Sequence, residues 1–230
     1  MKRFYKDVSV AEEGGAFRVL LDGRTLKTQA KATLELPTKA LAEAVAQEWR
    51  DVGEDIDPTL MPLTRLSFAA IDGVKVDRAR VADHALSFGG ADLLSYRADT
   101  PQELIARQAA AWNPVLDWAK ERYGAALRVT TGITHVEQPT EALAALRKAI
   151  DAQPDFALAA LHTATTITGS LVLALALIDG RLTAEQAFAA ATVDETFQAE
   201  KWGMDHEAEQ RLKRHAAELS GAEIFLRLLS

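Results

Sequence analysis

The chain has 230 residues, of which 48% are apolar and 26% are charged, and its formal net charge at pH 7 is -7. This is the composition of a folded globular protein with one large domain or two small ones. The acidic balance argues against nucleic acid as a partner, because phosphate binding needs a basic surface. The lack of cysteine excludes disulfides, thiolate nucleophiles and cysteine metal sites.

The first third of the chain predicts antiparallel strands. Residues 8–10 alternate between apolar and polar types, and a second strand over residues 17–21 follows Gly14-Gly15. Asp22-Gly23 then separates that strand from another short one. Paired turn residues between such runs are typical of β-hairpins.

A helix is predicted to follow these strands and to share their core. Thr38 is in position to cap its start, and Leu41, Val45, Trp49 and Val52 recur at helical spacing. The sequence therefore predicts a small α/β core in which one face of this helix covers the sheet.

The predicted fold class is α+β, with a boundary near Gly89-Gly90. Two further helices are expected over residues 63–70 and 76–88, and the glycine pair ends the second. We expect a strand-rich α/β domain over residues 1–90 and an orthogonal all-helical domain over residues 91–230.

Two capping boxes are predicted in the helical part. Thr100-Pro101-Gln102-Glu103 is expected to open a helix with a kink or a restart at Pro114. Thr183-Ala184-Glu185-Gln186 is expected to open a helix that runs to Trp202-Gly203. Helices are also predicted over residues 140–151 and 204–219.

Residues 156–178 contain no Asp, Glu, Lys or Arg and are long enough to span a bilayer. The same stretch holds His162, Gly169 and Ser170, and its flanks lack a basic cluster on one side. A buried central helix from about Pro154 to Asp179-Gly180 is therefore predicted, without membrane insertion. A membrane-anchored protein is the alternative.

The sequence contains no arrangement typical of catalysis or of cofactor binding. No glycine-rich phosphate loop and no Gly-x-Ser-x-Gly motif occur, and the five histidines show no site-like spacing. We expect no enzyme activity, no cofactor and no small-molecule substrate. The start of the chain lacks a secretory or mitochondrial presequence, so a cytoplasmic location is expected.

One acidic cluster near the C-terminus is open to three interpretations. It includes Asp194-Glu195, Glu200, Trp202 and His206. The cluster could be a solvated helix face, a metal-dependent hydrolase site around His206, or a recognition surface in which charges surround a tryptophan anchor. Trp112 and Trp118, by contrast, lie on a helical stripe and are predicted to pack in the core.

Several short strings, in their order and separation, resemble the ATP-synthase assembly chaperones that attend the α subunit. Each string is short, and the resemblance covers nearly the whole chain. The strings are Asp22-Gly23-Arg24-Thr25-Leu26-Lys27-Thr28, Glu48-Trp49, Met61-Pro62-Leu63-Thr64, Asp194-Glu195 and Lys201-Trp202-Gly203.

The resemblance implies a bacterial chaperone that binds the free α subunit and shields the surface that the β subunit later covers. It implies that acidic residues of the helical half matter for function, and Glu185 and Glu195 match them. Trp49 matches a family tryptophan and is also a candidate folding residue. With Glu200 and Trp202, these three form the predicted partner-binding set. Glu185 could instead serve only its helix start.

Overall fold

The α+β fold class is confirmed in the computed structural model, which describes all residues from 1 to 230. An antiparallel sheet and a helix come first, and the rest of the chain is largely helical. The strands are β1 (Val8–Glu13), β2 (Ala16–Leu21), β3 (Arg24–Thr25), β4 (Glu35–Leu36), β5 (Tyr96–Arg97) and β6 (Thr130–Thr131). The helices are α1 (Lys39–Arg50), α2 (Pro62–Phe68), α3 (Arg78–Gly90), α4 (Gln102–Tyr123), α5 (Thr140–Asp151), α6 (Asp155–Thr168), α7 (Leu171–Ile178), α8 (Ala184–Ala191), α9 (Val193–Trp202) and α10 (His206–Arg227).

The contacts divide the chain into two compact units that are not continuous in sequence. The first unit contains Met1–Arg78, Pro154–Ala160 and Gly221–Ser230, and the second contains Ala79–Gln153 and Leu161–Ser220. The N-terminal segment of the first unit thus ends at Arg78. The division into independent domains at residue 90 stays a prediction.

Helix α3 belongs to the second unit because its last turn packs there. Gly89 lies so close to its neighbours that a Cβ would come within 2.9 Å of Leu146 Cδ1 and 3.2 Å of Leu171 Cδ2. A side chain at this position would force the neighbouring leucines to move. Gly89 is therefore a packing residue of the second unit.

The two hairpin turns of the first unit form as their sequences predict. Glu13 pairs with Ala16 across Gly14-Gly15, and Leu21 pairs with Arg24 across Asp22-Gly23. All four turn residues have positive φ, which two-residue hairpin loops of this type require. The Asp22 carboxylate also accepts hydrogen bonds from the backbone N–H groups of Lys6 and Asp7, at 3.0 and 2.8 Å.

Helix α1 joins the sheet to α2 through a partly buried carboxylate. Its start is capped by the Thr38 hydroxyl, which accepts from Leu41 N at 3.1 Å, and its buried face includes Trp49. Glu48 accepts from the N–H groups of Leu63 and Thr64, at 2.7 and 2.8 Å, and from the Thr64 hydroxyl at 2.6 Å. Burial raises the pKa of Glu48, and these three donors oppose that rise. Glu48 thus caps α2 from another helix. This contact joins two of the strings that carry the family resemblance, Glu48-Trp49 and Met61-Pro62-Leu63-Thr64.

The end of the chain completes the first unit. The rings of Phe156 and Phe225 stack at 6.1 Å between centroids, and the Thr38 hydroxyl donates to the carbonyl of Leu228 at 2.6 Å. A Cβ on Gly221 would lie 2.6 Å from Pro62 Cβ, so the backbone of α10 lies directly against the start of α2. Helix α10 ends at Arg227, whereas the predicted helix ends at Leu219.

The single charge-free helix predicted over residues 154–178 is wrong, because the structure has two helices there. Helix α6 ends before Gly169, whose φ is +67°. Ser170 then caps α7, its hydroxyl accepting from Leu173 N at 3.0 Å. None of the helices combines the length and the apolar character that a bilayer span requires.

The start of α7 is also held by the fully buried Asp92. Its carboxylate accepts from the backbone N–H groups of Leu94 and Val172, each at 3.1 Å. Burial raises the pKa of Asp92 to about 6, although its hydrogen bonds, the first of them from the Ser170 hydroxyl, favour the charged form. One carboxylate therefore joins the segment after α3 to the first turn of α7.

Two predicted helix starts have different outcomes. The capping box at Thr183 is confirmed, with bonds in both directions between Thr183 and Gln186. The box at Thr100 is wrong, because α4 begins at Gln102 without a side-chain cap and the Thr100 hydroxyl donates to Asp99 at 3.4 Å. The helix from Thr183 is also divided at Thr192.

Helix α4 runs through Pro114 without a restart. A proline removes one hydrogen bond inside a helix. The buried residues Leu104, Trp112, Val115 and Ala119 keep the helix against the core on both sides of it. Packing therefore outweighs the lost hydrogen bond.

Removal of the Glu48 carboxylate tests the link between α1 and α2. We expect Glu48→Ala to lower the free energy of unfolding by about 2 kcal/mol, because three donors lose a charged acceptor. Urea denaturation measures the change, and Glu12→Ala, at an exposed position of β1, is the control. Equal stability of the two variants would contradict the capping role.

Candidate partner-binding surface

Helix α9 ends at an exposed tryptophan. Gly203 follows it with a φ of +80°, and its N–H donates to the carbonyl of Ala199 at 2.8 Å. Trp202, at the last position of the helix, is 78% exposed, and Met204 beyond it is 40% exposed. A large apolar side chain thus faces solvent where the helix stops.

Core packing does not account for Trp202 as it does for Trp112. Trp112 is fully buried, and its indole N–H donates to the carbonyl of Ala190 at 2.7 Å. Trp118 is partly buried against the same core, so the core prediction for these two residues is confirmed. An exposed tryptophan has no such partners, and aromatic side chains of this kind often anchor protein interfaces.

Four charged residues connect the last turn of α9, which ends at this tryptophan, to α4. Arg107 lies 2.8 Å from both Glu103 and Glu200, and Lys201 lies 3.0 Å from Glu103. Lys201 is the main cause that lowers the pKa of Glu103, and Arg107 is the main cause that lowers the pKa of Glu200. We call Glu103, Arg107, Glu200, Lys201 and Trp202 the Trp202 surface.

These ion pairs position side chains more than they stabilise the fold. The four charged side chains are 37–49% exposed, and pairs this accessible to solvent contribute little free energy. Beneath them, the cations of Arg107 and Lys201 each lie 5.2 Å from the ring centre of the buried Phe197. The two long basic side chains are therefore held between carboxylates and an aromatic ring.

The structure brings together part of the predicted partner-binding set. Glu195, Glu200 and Trp202 share α9, and Glu185 lies in the first turn of α8. Glu185 and Glu195 are both exposed, as a contact residue and a helix-start residue would each be. Their role in binding stays a prediction.

Trp49 belongs to the first unit and is only 6% exposed. Its carbonyl accepts from the Tyr5 hydroxyl at 2.7 Å, and the two rings are 5.6 Å apart. These contacts agree with the folding role considered for it. The indole nitrogen of Trp49 is buried and has no hydrogen-bond partner within the protein, a feature that no sequence pattern indicates.

The acidic cluster around His206 does not assemble a metal centre. No group of three or more histidine or carboxylate side chains in the structure could hold a metal ion. Asp194, which belongs to the same cluster, instead accepts from the Gln108 side chain at 2.7 Å. The geometry gives no support to the metal-dependent hydrolase.

Sequence reasoning missed the contribution of α4 to this surface. Arg107 is 93 residues from Glu200, and Glu103 is 98 residues from Lys201. The only local signal was the four-residue spacing of Glu103 and Arg107, which is typical of any exposed helix.

Comparison with known proteins gives one consistent result. A family model described as ATP12 chaperone protein matches residues 2–120. The crystal structure of Atp12 from Paracoccus denitrificans is 44% identical, covers 100% of this chain and 98% of its own, and has a TM-score of 0.93. An aspartate-to-lysine mutant of that protein gives the same values.

Two further relatives come from different organisms. A candidate chaperone from Agrobacterium tumefaciens is 44% identical, covers 100% of this chain and 86% of its own, and has a TM-score of 0.95. The mitochondrial protein atp12 of Schizosaccharomyces pombe is 25% identical over 222 residues, which is 91% of this chain and 76% of that protein.

Two tryptophan variants test whether Trp202 is free of a structural role. We expect Trp202→Ala to change the free energy of unfolding by less than about 0.5 kcal/mol, because the side chain is exposed. Trp112→Ala should lose about 3–5 kcal/mol, because it leaves a cavity and an unpaired carbonyl. Urea denaturation followed by circular dichroism measures both. A large loss in Trp202→Ala would mean that the indole is packed in solution.

Proposed function

Since the chain belongs to the ATP12 chaperone family, we propose that it binds the unassembled α subunit of the F-type ATP synthase. In this proposal it shields the surface that the β subunit later covers. The observation that carries the proposal is the 44% identity to a bacterial Atp12 over the whole chain.

The family is one of chaperones, and the chain is not an enzyme. Its product is an assembled complex rather than a converted molecule. An unassembled subunit exposes an apolar interface that self-associates, and a protein that occupies this interface lowers the concentration of the exposed form. Such binding needs no nucleophile, metal ion or nucleotide.

The Trp202 surface supports a contact with the client. Its indole offers a large apolar area, while its four charges are already paired within the protein. Binding there desolvates an aromatic ring without requiring the client to neutralise a charge. We place Glu195 at the acidic edge of the same contact.

The bound subunit must also be released. A chaperone interface of moderate area with polar edges can be exchanged for the β subunit, whereas a large apolar interface would retain the client. Paired charges beside a single exposed tryptophan fit the exchangeable type. We extend the proposal to a cytoplasmic site of action, in keeping with the bacterial relatives.

Direct reconstitution tests the proposal. We expect the purified chain and the purified α subunit of a bacterial ATP synthase to form a one-to-one complex in size-exclusion chromatography with light scattering. Addition of β subunit should displace the chaperone. No complex at micromolar concentrations of both proteins would contradict the proposed function.

Charge reversal at a helix start separates a contact from a capping role. We expect Glu185→Lys to weaken binding of the α subunit and to leave the melting temperature nearly unchanged. The matched control is Glu141→Lys, because Glu141 is also an exposed acidic residue in the first turn of a helix, α5. Both variants lose the same favourable interaction with the helix dipole, of about 0.3–1 kcal/mol. Equal binding by the two variants would assign Glu185 to its helix alone.

A further inference from the structure

Arg97, in β5 of the second unit, carries a partly buried guanidinium group without a carboxylate partner. Its Nε donates to the carbonyl of Leu94 at 3.0 Å, and its guanidinium carbon lies 4.9 Å from the ring centre of Trp112. No Asp or Glu oxygen lies within 4.0 Å of its nitrogen atoms. The positive charge is thus held in place by one carbonyl and one aromatic ring.

Partial burial of this charge without a counter-ion is unfavourable. Arginine stays protonated in proteins, so the guanidinium group cannot avoid the cost by losing its charge. Burial lowers the pKa of Arg97, and no neighbouring carboxylate opposes that effect. Three other partly buried arginines each pair with a carboxylate at 2.6–2.8 Å, namely Arg18, Arg78 and Arg107. Arg97 therefore lacks the partner that comparable groups in this chain have.

One nitrogen of the guanidinium group is available to a ligand. Nε is already bonded to Leu94, and Nη2 is buried without a partner, so a ligand reaches neither atom. Nη1 makes no hydrogen bond within the protein and is not among the buried atoms that lack a partner, so it contacts solvent. A ligand of Arg97 would therefore bind Nη1.

Arg97 lines a crevice of about 470 Å³ between α4 and the β5–β6 strand pair. Thr131 is opposite Arg97 in the parallel register, so the two side chains project from the same face of the strand pair. Asn113 of α4 also lines the crevice, and neither Asn113 nor Thr131 uses its side chain in a hydrogen bond within the protein. We call Arg97, Asn113 and Thr131 the Arg97 site. An unpaired cation beside two unoccupied polar groups suits a carboxylate.

The rest of the crevice restricts the kind of anion that fits. Ile105, Ala109 and Val129 form an apolar part of its lining, and Val129 is 48% exposed. Asp99 also lines the crevice, and its carboxylate accepts from the Thr100 hydroxyl rather than from Arg97. A negative charge nearby disfavours a multiply charged anion such as phosphate. A single carboxylate on an apolar stem, which is an Asp or Glu side chain, matches both features.

We propose that the Arg97 site binds the carboxylate of an exposed Asp or Glu side chain of the client α subunit. Arg97 Nη1 donates to this carboxylate, and the Asn113 amide and the Thr131 hydroxyl complete its coordination. This inference rests on the proposed function for the identity of the client. It supplies an unpaired charge for recognition, which the Trp202 surface lacks because its charges are paired within the protein.

The matched pair Arg97→Met and Arg122→Met separates binding from stability. Arg97→Met keeps an unbranched apolar stem beside Trp112 and removes the charge, so affinity for the α subunit should fall about tenfold. Its melting temperature should fall by no more than about 4 °C, because one hydrogen bond is lost together with an unpaired charge. Arg122 pairs with Asp179, so Arg122→Met loses the same net charge and should keep its affinity. Equal affinity of the two variants overturns the inference.

A second variant leaves the guanidinium group in place. The double variant Asn113→Ala, Thr131→Val changes two exposed side chains, so it should fold normally and bind the α subunit about threefold more weakly. Unchanged affinity would remove these two residues from the site and overturn the proposed coordination. Binding by the unaltered protein should also weaken more steeply with added salt than binding by Arg97→Met, because one ion pair is lost.

Small anions distinguish a client carboxylate from a free anion. Acetate and inorganic phosphate are titrated into ¹⁵N-labelled protein, and the Arg97 Nε–H resonance is the one that Arg97→Met removes. We expect the α subunit at micromolar concentration to move this resonance and both anions to leave it unchanged at the same concentration. A shift caused by phosphate or acetate alone, with none caused by the α subunit, overturns the inference.

The same measurements distinguish failure of this inference from failure of the proposed function. If the unaltered protein forms no complex with the α subunit, the proposed function fails. If the complex forms and Arg97→Met binds as tightly as Arg122→Met, only the assignment of the Arg97 site fails.

Discussion

Carboxylates that accept hydrogen bonds from the starts of distant helices hold this fold together. Glu48 extends from α1 to the first turn of α2, and Asp92 extends from the segment after α3 to the first turn of α7. A buried carboxylate is costly unless several donors converge on it, and the start of a helix offers such donors without a partner. Each contact therefore forms only when both segments are in place.

Helix starts capped in this way fix the positions of neighbouring elements in each unit. In the first unit, α1 and the segment before α2 are joined by Glu48, and both line one apolar pocket that includes Trp49 and Met61. In the second unit, α7 and α4 share the apolar core that supports the helices before Trp202. The charged side chains at the end of α9 are paired within the protein.

The parts of the fold that depend on neighbouring residues could be predicted from the sequence. Gly14-Gly15 and Asp22-Gly23 specify their turns through backbone conformation alone, and Thr38 and Thr183 cap the next turn of the chain. The break at Gly169 was missed because a long apolar run outweighed a glycine followed by a capping serine. The capping box predicted at Thr100 does not form, because the Thr100 hydroxyl donates a hydrogen bond to the Asp99 carboxylate instead.

The site was less predictable, because its properties arise from distant contacts. No local pattern predicts that Trp202 is exposed while Trp112 is buried, because both lie on helices in which apolar and polar residues alternate irregularly around them. The pairing of α4 with α9 joins residues more than 90 positions apart. The lack of an acceptor at Trp49 is a property of the folded core. For Glu185 and Glu195, exposure alone leaves the role in binding as a prediction.

The path of the chain has a consequence for the order in which the protein forms on the ribosome. Residues 221–230 are synthesised after the other two segments of the first unit, and Phe225 and Leu228 contact Phe156 and Thr38 in those segments. Domains that are continuous in sequence can fold while the rest is still being made. Here the first unit cannot complete its core until residues 221–230 have been synthesised. The core of the first unit is therefore incomplete while the preceding residues are being synthesised. A product truncated before residue 221 would lack the segment that completes this core.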